Sequence, residues 1–221
     1  MTSHDDPGPA PRRPRGRPPG GGHTPVQARD KLLDAAAESF RTAGITATTM
    51  TGIARRAGFT RAVIYRHFSG RDDVVDALTR RTLDRHLATI AVRFAELDDP
   101  AEIIVGSLVF IATEVGTDPL LALLSEHRGR HTVVHLIESS PEIGELVLSM
   151  YAAGLKRFGR RGLRPGLDAH DGARFIVSTA LAFLLDAVPG VRGPEQVRRY
   201  VVSFVLPGLM ADPPPVLPLD P

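Results

Sequence analysis

Hydrophobic residues recur at spacings of three and four along most of the chain, and no convincing segment alternates with a period of two. This spacing places apolar side chains on one face of an α-helix. Five helix starts are marked by a capping residue followed by proline, which at the first helical position loses no hydrogen bond. They begin at Thr24, Asp99, Asp118, Ser140 and Gly193. The pattern predicts an all-α fold of about nine helices.

Glycines 44, 58 and 116 stand where helices are expected to end, and Thr24 with Gln27 and Asp99 with Glu102 have the spacing of reciprocal caps. Ser69 is the expected cap of a long fourth helix, with Asp72 three residues on. The helices are predicted at 25–43, 49–57, 60–68, 69–94, 100–115, 119–127, 131–138, 141–159, 168–187 and 194–206.

The two ends of the chain have a different composition. Residues 1–23 hold six Pro, five Gly and four Arg, and residues 212–221 hold five Pro. Because such segments bury too little apolar surface to offset the entropy of ordering, we expect a disordered arm and a Pro-rich tail. Between them we expect a DNA-binding domain over 24–86 and a regulatory domain over 87–211.

Charge is distributed unevenly along the 221 residues. The first 71 residues carry 12 Lys and Arg against 5 Asp and Glu, whereas the remainder carries 15 against 20. A basic third on an acidic remainder indicates a polyanion partner for that third. The absence of cysteine excludes disulfides and thiol chemistry, and no apolar run has the length of a membrane span or a signal core, so we expect a cytoplasmic, nucleoid-associated protein.

The segment Thr48–Phe68 carries the most information about function. It predicts two short helices that meet at a turn containing Gly58, with small Ala54 and Ala57 at the contact and a polar outer face of Arg61, Tyr65 and Arg66. This is the pattern of a helix-turn-helix over 49–68, which would bring Arg61, Ala62 and Val63 near base edges. The alternative is a small helical hairpin with a solvated basic face.

With Leu32–Ala36 and Phe40–Gly44, this segment resembles the DNA-binding domain of the TetR family of bacterial transcriptional regulators, of TetR/AcrR type, over roughly Val26–His86. The Ile-Ala-x-x-Ala-Gly core and the Ile-Tyr-x-x-Phe ending carry the likeness. The family often has Gly and Thr where this chain has Ala62 and Val63, so contact with a thymine methyl is expected there. The resemblance implies a DNA-binding set of Thr49, Thr60, Arg61, Ala62, Val63, Tyr65, Arg66, His67 and Arg71.

Within this set the resemblance implies different roles. Tyr65 and His67 would hold the DNA backbone, and Thr49 and Thr60 would offer capped helix ends to phosphates. Arg71, where the family usually has Lys, would also meet a phosphate. Contacts to phosphates fix register, and Arg61–Val63 would supply sequence discrimination.

The predicted arm contains Pro14-Arg15-Gly16-Arg17-Pro18, which resembles the core of an AT-hook. Glycine would let the backbone lie deep in a narrow minor groove while Arg15 and Arg17 enter it. The alternative is a tail whose arginines reflect composition alone.

The resemblance implies that 87–211 binds a small, hydrophobic effector. Candidate lining residues are Phe94, Phe110, Leu124, Met150 and Tyr151, with ordinary core packing as the alternative. His127, His131 and His135 have spacings that could align on one helix face, but Gly129 and Thr132 weaken a helix there and no carboxylate has clear ligand spacing. We therefore expect no metal and no cofactor.

The last two long helices have broad apolar faces, which in the family pair two subunits into a four-helix bundle. The predicted homodimer interface consists of Phe175, Ile176, Thr179, Ala180, Phe183, Leu184, Val197, Tyr200, Val201 and Phe204. The alternative is that these faces belong to the core of one subunit.

Three functions follow from these features. The first is a homodimeric transcriptional regulator, a repressor released from a palindromic DNA operator by a small molecule. The second is an architectural DNA-binding protein without a ligand, which the large C-terminal part disfavours. The third, a helical enzyme, has no phosphate loop, nucleophile elbow or metal motif in its favour.

Overall fold

The structure is a computed structural model that describes residues 23–128, 141–158 and 163–216. These residues form nine continuous helices and no strand, which confirms the predicted all-α class. The helices are α1 (Pro25–Ala43), α2 (Met50–Arg56), α3 (Arg61–His67), α4 (Arg71–Arg93), α5 (Pro100–Phe110, continued by a π turn at Ile111–Val115), α6 (Pro119–Arg128), α7 (Pro141–Phe158), α8 (Ala169–Leu184) and α9 (Pro194–Tyr200, continued by a π turn at Val201–Val205 and a last α-helical turn at Leu206–Leu209). The predicted helix at 131–138, the predicted arm up to residue 22 and the last five residues lie outside the described residues.

Most helix ends lie where the capping residues predicted them. Thr24 and Gln27 form the reciprocal cap of α1, in which Thr24 Oγ1 accepts from the Gln27 amide at 3.2 Å and Gln27 Oε1 accepts from the Thr24 amide at 3.0 Å. Asp99 caps α5 by accepting from the Ala101 amide at 2.8 Å. Gly44 closes α1 with φ of 79°, a backbone conformation that glycine adopts without steric cost.

Three predicted boundaries are wrong, and one of them is the end of α9, which continues to Leu209 beyond the predicted 206. The residue that caps α4 is Gly70 rather than Ser69, because Ser69 donates its amide and its hydroxyl to Asp73 Oδ2 at 2.8 and 3.2 Å. Asp72, the predicted partner, instead lies 3.3 Å from His127 Nε2 of α6. Helix α8 ends at Leu184, before the predicted 187, because the chain turns at Asp186 with φ of 53°.

The helices enclose two hydrophobic cores. The N-terminal core is formed by α1, α2, α3 and the first half of α4, and it includes the fully buried Leu32, Phe40, Ile64 and Leu78. The C-terminal core is formed mainly by α5, α7, α8 and α9. Burial of these apolar side chains supplies the main driving force for both units.

Two helices belong to both cores. Helix α4 contributes Val75 and Leu78 to the N-terminal core and Ile90 to the C-terminal core. Helix α6 contributes Leu124 to the N-terminal core and Leu121 to the C-terminal core. Because close-packed interiors transmit displacement, movement of either helix must disturb both cores.

Asp118, the residue that caps α6, ties these two helices together. Its Oδ1 accepts from the amides of Leu120 and Leu121 at 2.8 and 3.1 Å. Its Oδ2 accepts from Arg85 Nη2 at 2.8 Å and from His86 Nε2 at 2.9 Å, both on α4. Only 9% of Asp118 is exposed, so these contacts replace most of the water that an ionised carboxylate requires.

The hydrogen bonds to Asp118 together lower the pKa of its carboxyl group by more than burial raises it. Burial alone raises the pKa of the carboxyl group, but the bonds from the Leu121 amide, His86 and the Leu120 amide favour the ionised form, and the pKa lies below its usual 3.8. A carboxyl group whose pKa is lower in the folded than in the unfolded protein stabilises the fold. This stabilisation is fully present when the pH is above the pKa of the unfolded protein. That contribution is lost as the pH falls through the folded value.

We expect Asp118→Asn to lower the free energy of unfolding at neutral pH by about 1–2 kcal/mol, because the amide can still cap α6 but no longer offers a charge to Arg85 and His86. The measurement is urea unfolding of both proteins from pH 7 to pH 3. The difference should shrink as the pH falls below about 4.

Asp98→Asn is the matched control, because Asp98 pairs with Arg157 at 3.1 Å while 91% of its side chain is exposed. A pH-independent difference for Asp118→Asn, or equal losses for the two variants, would contradict this role of Asp118.

Candidate nucleic-acid interface

Helices α2 and α3 are joined by a tight turn at Gly58. Its φ is 78°, its amide donates to the Arg55 carbonyl at 3.1 Å, and the Phe59 amide donates to the Ala54 carbonyl at 2.8 Å. These two bonds close the end of α2 and turn the chain into α3. Ile53 and Ile64, both fully buried, hold the two helices against the N-terminal core.

The two threonines that precede these helices differ in their bonding. Thr49 Oγ1 accepts from the Gly52 amide at 3.0 Å and so caps α2. The Thr60 side chain makes no capping hydrogen bond and is exposed. Of the two hydroxyls, that of Thr60 is therefore the one left free to meet an external group.

The predicted reading residues fall on the outer side of α3. Arg61, Ala62, Tyr65 and Arg66 are exposed, with 45% of Tyr65 accessible. The Arg61 guanidinium lies 5.3 Å from the centroid of the Tyr65 ring, within the range of a cation–π contact. Stacking holds the Arg61 side chain along the surface of α3.

Val63, His67 and Arg71 occupy a different environment. All three are partly buried, and Val63 packs against the N-terminal core. Ala62 is thus the more accessible of the two apolar positions that were expected to meet a thymine methyl.

The exposed face of α3 is cationic. Arg61 and Arg66, together with Arg55 on α2, form no ion pair with any described residue, whereas Arg56 lies 3.9 Å from Glu38. Such arginines are available to polyanions, whose phosphates they attract at long range. The other predicted arginines, Arg15 and Arg17, lie outside the described residues.

Described residues of the C-terminal part line two apolar cavities. Cavity A, with about 730 Å³ of empty space including its opening, lies between α4, the π turn after α5, α7 and α8. Cavity B, with about 740 Å³ measured in the same way, lies between α4, α5, α7 and α8. Ile90 and Tyr151 line both. Cavity A is also lined by Leu83, His86, Leu87, Ile111, Val177 and Leu184, and cavity B by Phe94, Ile104, Ser107, Leu155, Arg157 and Ile176.

The predicted lining residues are distributed unevenly over these cavities. Tyr151 lines both and Phe94 lines cavity B, whereas Phe110 lines a separate polar cleft with Arg93 and Glu114. Leu124 lines neither, because it is fully buried in the N-terminal core. The side chain of Met150 lies outside the described part of α7.

Sequence reasoning did not assign Leu83, Leu87 and Ile90 to a cavity. The apolar positions of α4 indicated only that one face of this helix is buried. No pattern along the chain distinguishes packing against a neighbour from lining an empty space.

The predicted dimer residues fall into two groups. Ile176, Ala180, Phe183, Val197 and Val201 are buried within a single subunit. Phe204 and Phe175 are 69% and 43% exposed, and Thr179, Leu184 and Tyr200 are partly buried. Tyr200 contacts both Phe183 and Phe204, with ring centroids 5.7 and 5.3 Å apart, so one aromatic cluster runs from the core to the surface.

No group of three or more His, Cys, Asp or Glu side chains within the described residues could hold a metal ion. His127 lies beside Asp72, while His131 and His135 lie outside those residues. No single described helix is long and apolar enough to cross a membrane. The helices over Pro100–Val115 and Pro119–His127 pass that test only as a pair bent by 66°, and by length and composition alone.

A cationic helix-turn-helix joined by a shared long helix to an apolar helical part defines a DNA-binding transcription regulator. Residues 32–78 match the family model of the bacterial regulatory proteins of the tetR family. The chain belongs to the TetR family of transcriptional regulators.

Similar proteins support this assignment over most of the chain. An uncharacterised HTH-type transcriptional regulator of Mycobacterium tuberculosis is 34% identical over 187 residues, covering 81% of this chain and 84% of its own. The HTH-type transcriptional repressor BepR of Brucella suis is 27% identical over 198 residues, covering 84% and 93%. A TetR-family regulator from Pectobacterium atrosepticum has the same fold, with a TM-score of 0.68 at 19% identity, over 86% of this chain and 97% of that one.

Removal of the Arg61 guanidinium should affect specific DNA binding more than non-specific binding. We expect Arg61→Ala to weaken operator binding by about 1–3 kcal/mol and to relax base preference at one position of each half-site. Tyr65→Phe, which removes the hydroxyl expected to hold the DNA backbone, should weaken binding to all sequences alike. The measurement is fluorescence anisotropy with operator and scrambled DNA, using Arg198→Ala as the control, since Arg198 is an exposed residue of α9. Equal losses on both DNAs for Arg61→Ala would contradict base reading.

Proposed function

We propose that this protein is a homodimeric repressor that leaves a palindromic operator when an apolar small molecule binds its C-terminal part. The observation that supports this most strongly is the shared use of α4 and α6 by the two cores, because it links the cavities to the helix-turn-helix. Repressors among the similar proteins, such as BepR, favour repression over activation.

In this proposal, residues 24–86 form the DNA-binding unit and residues 87–211 the regulatory unit. Arg61 and Ala62 read bases from α3, with Val63 behind them. Tyr65, Arg66, His67, Arg71 and the free hydroxyl of Thr60 hold the DNA backbone, and Thr49 presents the capped end of α2 to a phosphate. Exposure of Arg61, Tyr65 and Arg66 supports this division of work, since backbone contacts supply affinity and base contacts supply discrimination.

The effector acts through α4. Cavity A is lined by His86, whose imidazole bonds Asp118 at the start of α6. A molecule in this cavity therefore presses on the same turn of α4 that holds α6. To release DNA it must bind the DNA-incompetent state more tightly, and a preference of about a hundredfold corresponds to about 2.7 kcal/mol of coupling.

The homodimer forms through the exposed part of α8 and α9, around Phe175 and Phe204. An exposed aromatic pair on otherwise packed helices is typical of an interface. Two-fold pairing would set two copies of α3 into successive major grooves, about 34 Å apart on one face of DNA.

Phe204→Glu should separate the subunits, because it places a charge in the proposed apolar interface while leaving the core of each subunit intact. Analytical ultracentrifugation should show a monomer with native helical content, and cooperative operator binding should be lost. Val92→Glu is the matched control, since Val92 is 79% exposed on α4. A dimer that persists in Phe204→Glu would contradict this interface. Phe183 is a poor site for the test, because a charge at this buried residue would disturb the core.

The N-terminal arm adds a minor-groove contact in this proposal, through Arg15 and Arg17. Deletion of residues 1–20 removes four arginines and no described contact. We expect weaker DNA binding with a shallower dependence on salt concentration, because fewer counterions are released. Unchanged affinity across 50–200 mM salt would show that the arm does not touch DNA.

The whole proposal is tested by binding to the DNA upstream of the protein's own gene, with and without candidate effectors. A repressor binds a palindromic site there and leaves it when the effector is added. An architectural protein would bind without an effector response. We propose no catalytic activity, and we place the protein with chromosomal DNA in the bacterial cytoplasm.

A further inference from the structure

Tyr151 stands in the wall between the two cavities. It lies on α7 and lines both cavities together with Ile90 of α4. Its hydroxyl is buried and has no hydrogen-bond partner among the described residues. A buried hydroxyl without a partner costs the free energy of its lost hydration, so such groups are rare unless something supplies the missing bond.

The neighbouring polar groups do not supply that bond. Ser107 also lines cavity B, and its hydroxyl donates to the Ile104 carbonyl at 3.1 Å. Its oxygen keeps acceptor capacity and lowers the pKa of Tyr151, but it forms no hydrogen bond with the Tyr151 hydroxyl. His86, in the wall of cavity A, is bonded to Asp118 at 2.9 Å. Burial raises the pKa of Tyr151 to about 12, so its hydroxyl keeps its proton and remains a donor at neutral pH.

The charged residues around the cavities are engaged at the protein surface. Arg80 and Asp84 line cavity A, are about half exposed and lie 4.0 Å apart, and Arg157 of cavity B lies 3.1 Å from Asp98. The rest of the described lining is almost wholly apolar. An uncharged molecule is therefore favoured over an ionised one, because burial of an unpaired charge is costly.

The geometry points to one two-lobed effector site, in which Tyr151 donates a hydrogen bond to an acceptor oxygen placed between two apolar parts of an uncharged ligand. This inference rests on the proposed ligand response and names the chemical class of the effector. Cavities A and B hold the two apolar parts, and Tyr151 determines specificity. A site built to bond such an oxygen also rejects a molecule that lacks it.

The test uses two probes of the same shape. Dibenzyl ketone carries one carbonyl between two phenyl groups, and 1,3-diphenylpropane is the same molecule without the oxygen. Titration calorimetry of the full-length protein should show the ketone binding more tightly than the hydrocarbon. In Tyr151→Phe, ketone binding should weaken about tenfold, while hydrocarbon binding stays unchanged or improves.

Tyr200→Phe is the matched control, since Tyr200 lies in the same core but lines neither cavity. The melting temperature provides a second measurement. Tyr151→Phe should melt at the same temperature as the wild type or higher, because it removes an unsatisfied hydroxyl. If the hydroxyl stabilised the fold, its removal would lower the melting temperature.

The inference would be overturned by equal binding of the two probes to the wild type, by ketone binding that survives in Tyr151→Phe, or by no binding of either probe. Loss of both probes together with a lower melting temperature would assign Tyr151 a structural role and would also overturn it. None of these results bears on operator binding by α3. Failure to bind operator DNA would in turn leave the probe result intact, so the two proposals fail separately.

Discussion

The bonds from Arg85 and His86 to the buried carboxylate of Asp118 fix the relation between α4 and α6, and the rest of the molecule depends on that relation. Neither helix belongs to one core alone. Leu124 of α6 belongs to the core that supports the helix-turn-helix, whereas Leu121 of the same helix packs into the C-terminal core. The carboxylate thus holds the start of α6 against the middle of α4.

This arrangement accounts for regulation by a molecule that never approaches DNA. The two turns of α4 that carry Leu83, His86 and Ile90 face the cavities. The turns before them carry Val75 and Leu78, which lie in the N-terminal core. A shift of one end of a straight, packed helix must be accommodated at the other. Whether a ligand favours the bound or the released state depends only on which of them it fits better.

Local chemistry made much of the fold predictable. Proline after a capping residue marked the starts of α1, α5 and α6, and the residue types around Gly58 identified the turn of the helix-turn-helix and its exposed arginines. These features depend on neighbours in the chain, which the sequence contains. Ser69 was assigned wrongly as a cap because its amide and hydroxyl donate to Asp73 instead. Asp72, the expected partner, contacts His127, which lies far away in sequence.

Features that depend on distant packing were not predictable. The apolar stripes of α8 and α9 could have covered a partner or filled a core. The structure assigns Ile176 and Val201 to the core and leaves Phe204 at the surface. Leu124 was expected near a ligand and lies in the N-terminal core, because α6 crosses between the two units. The missing partner of the Tyr151 hydroxyl is likewise invisible in a sequence, since it is a property of everything that surrounds the side chain.

The central claim, that α4 and α6 make the cavities and the recognition helix one mechanical unit, is tested most directly by native-state hydrogen exchange of Asp118→Asn beside the wild type. Exchange reports the free energy of local opening at each amide. We predict faster exchange in α6 and in both units, over 50–67 and over 100–115, with Asp98→Asn unchanged. Faster exchange confined to the turn before α6 and its first amides would contradict it.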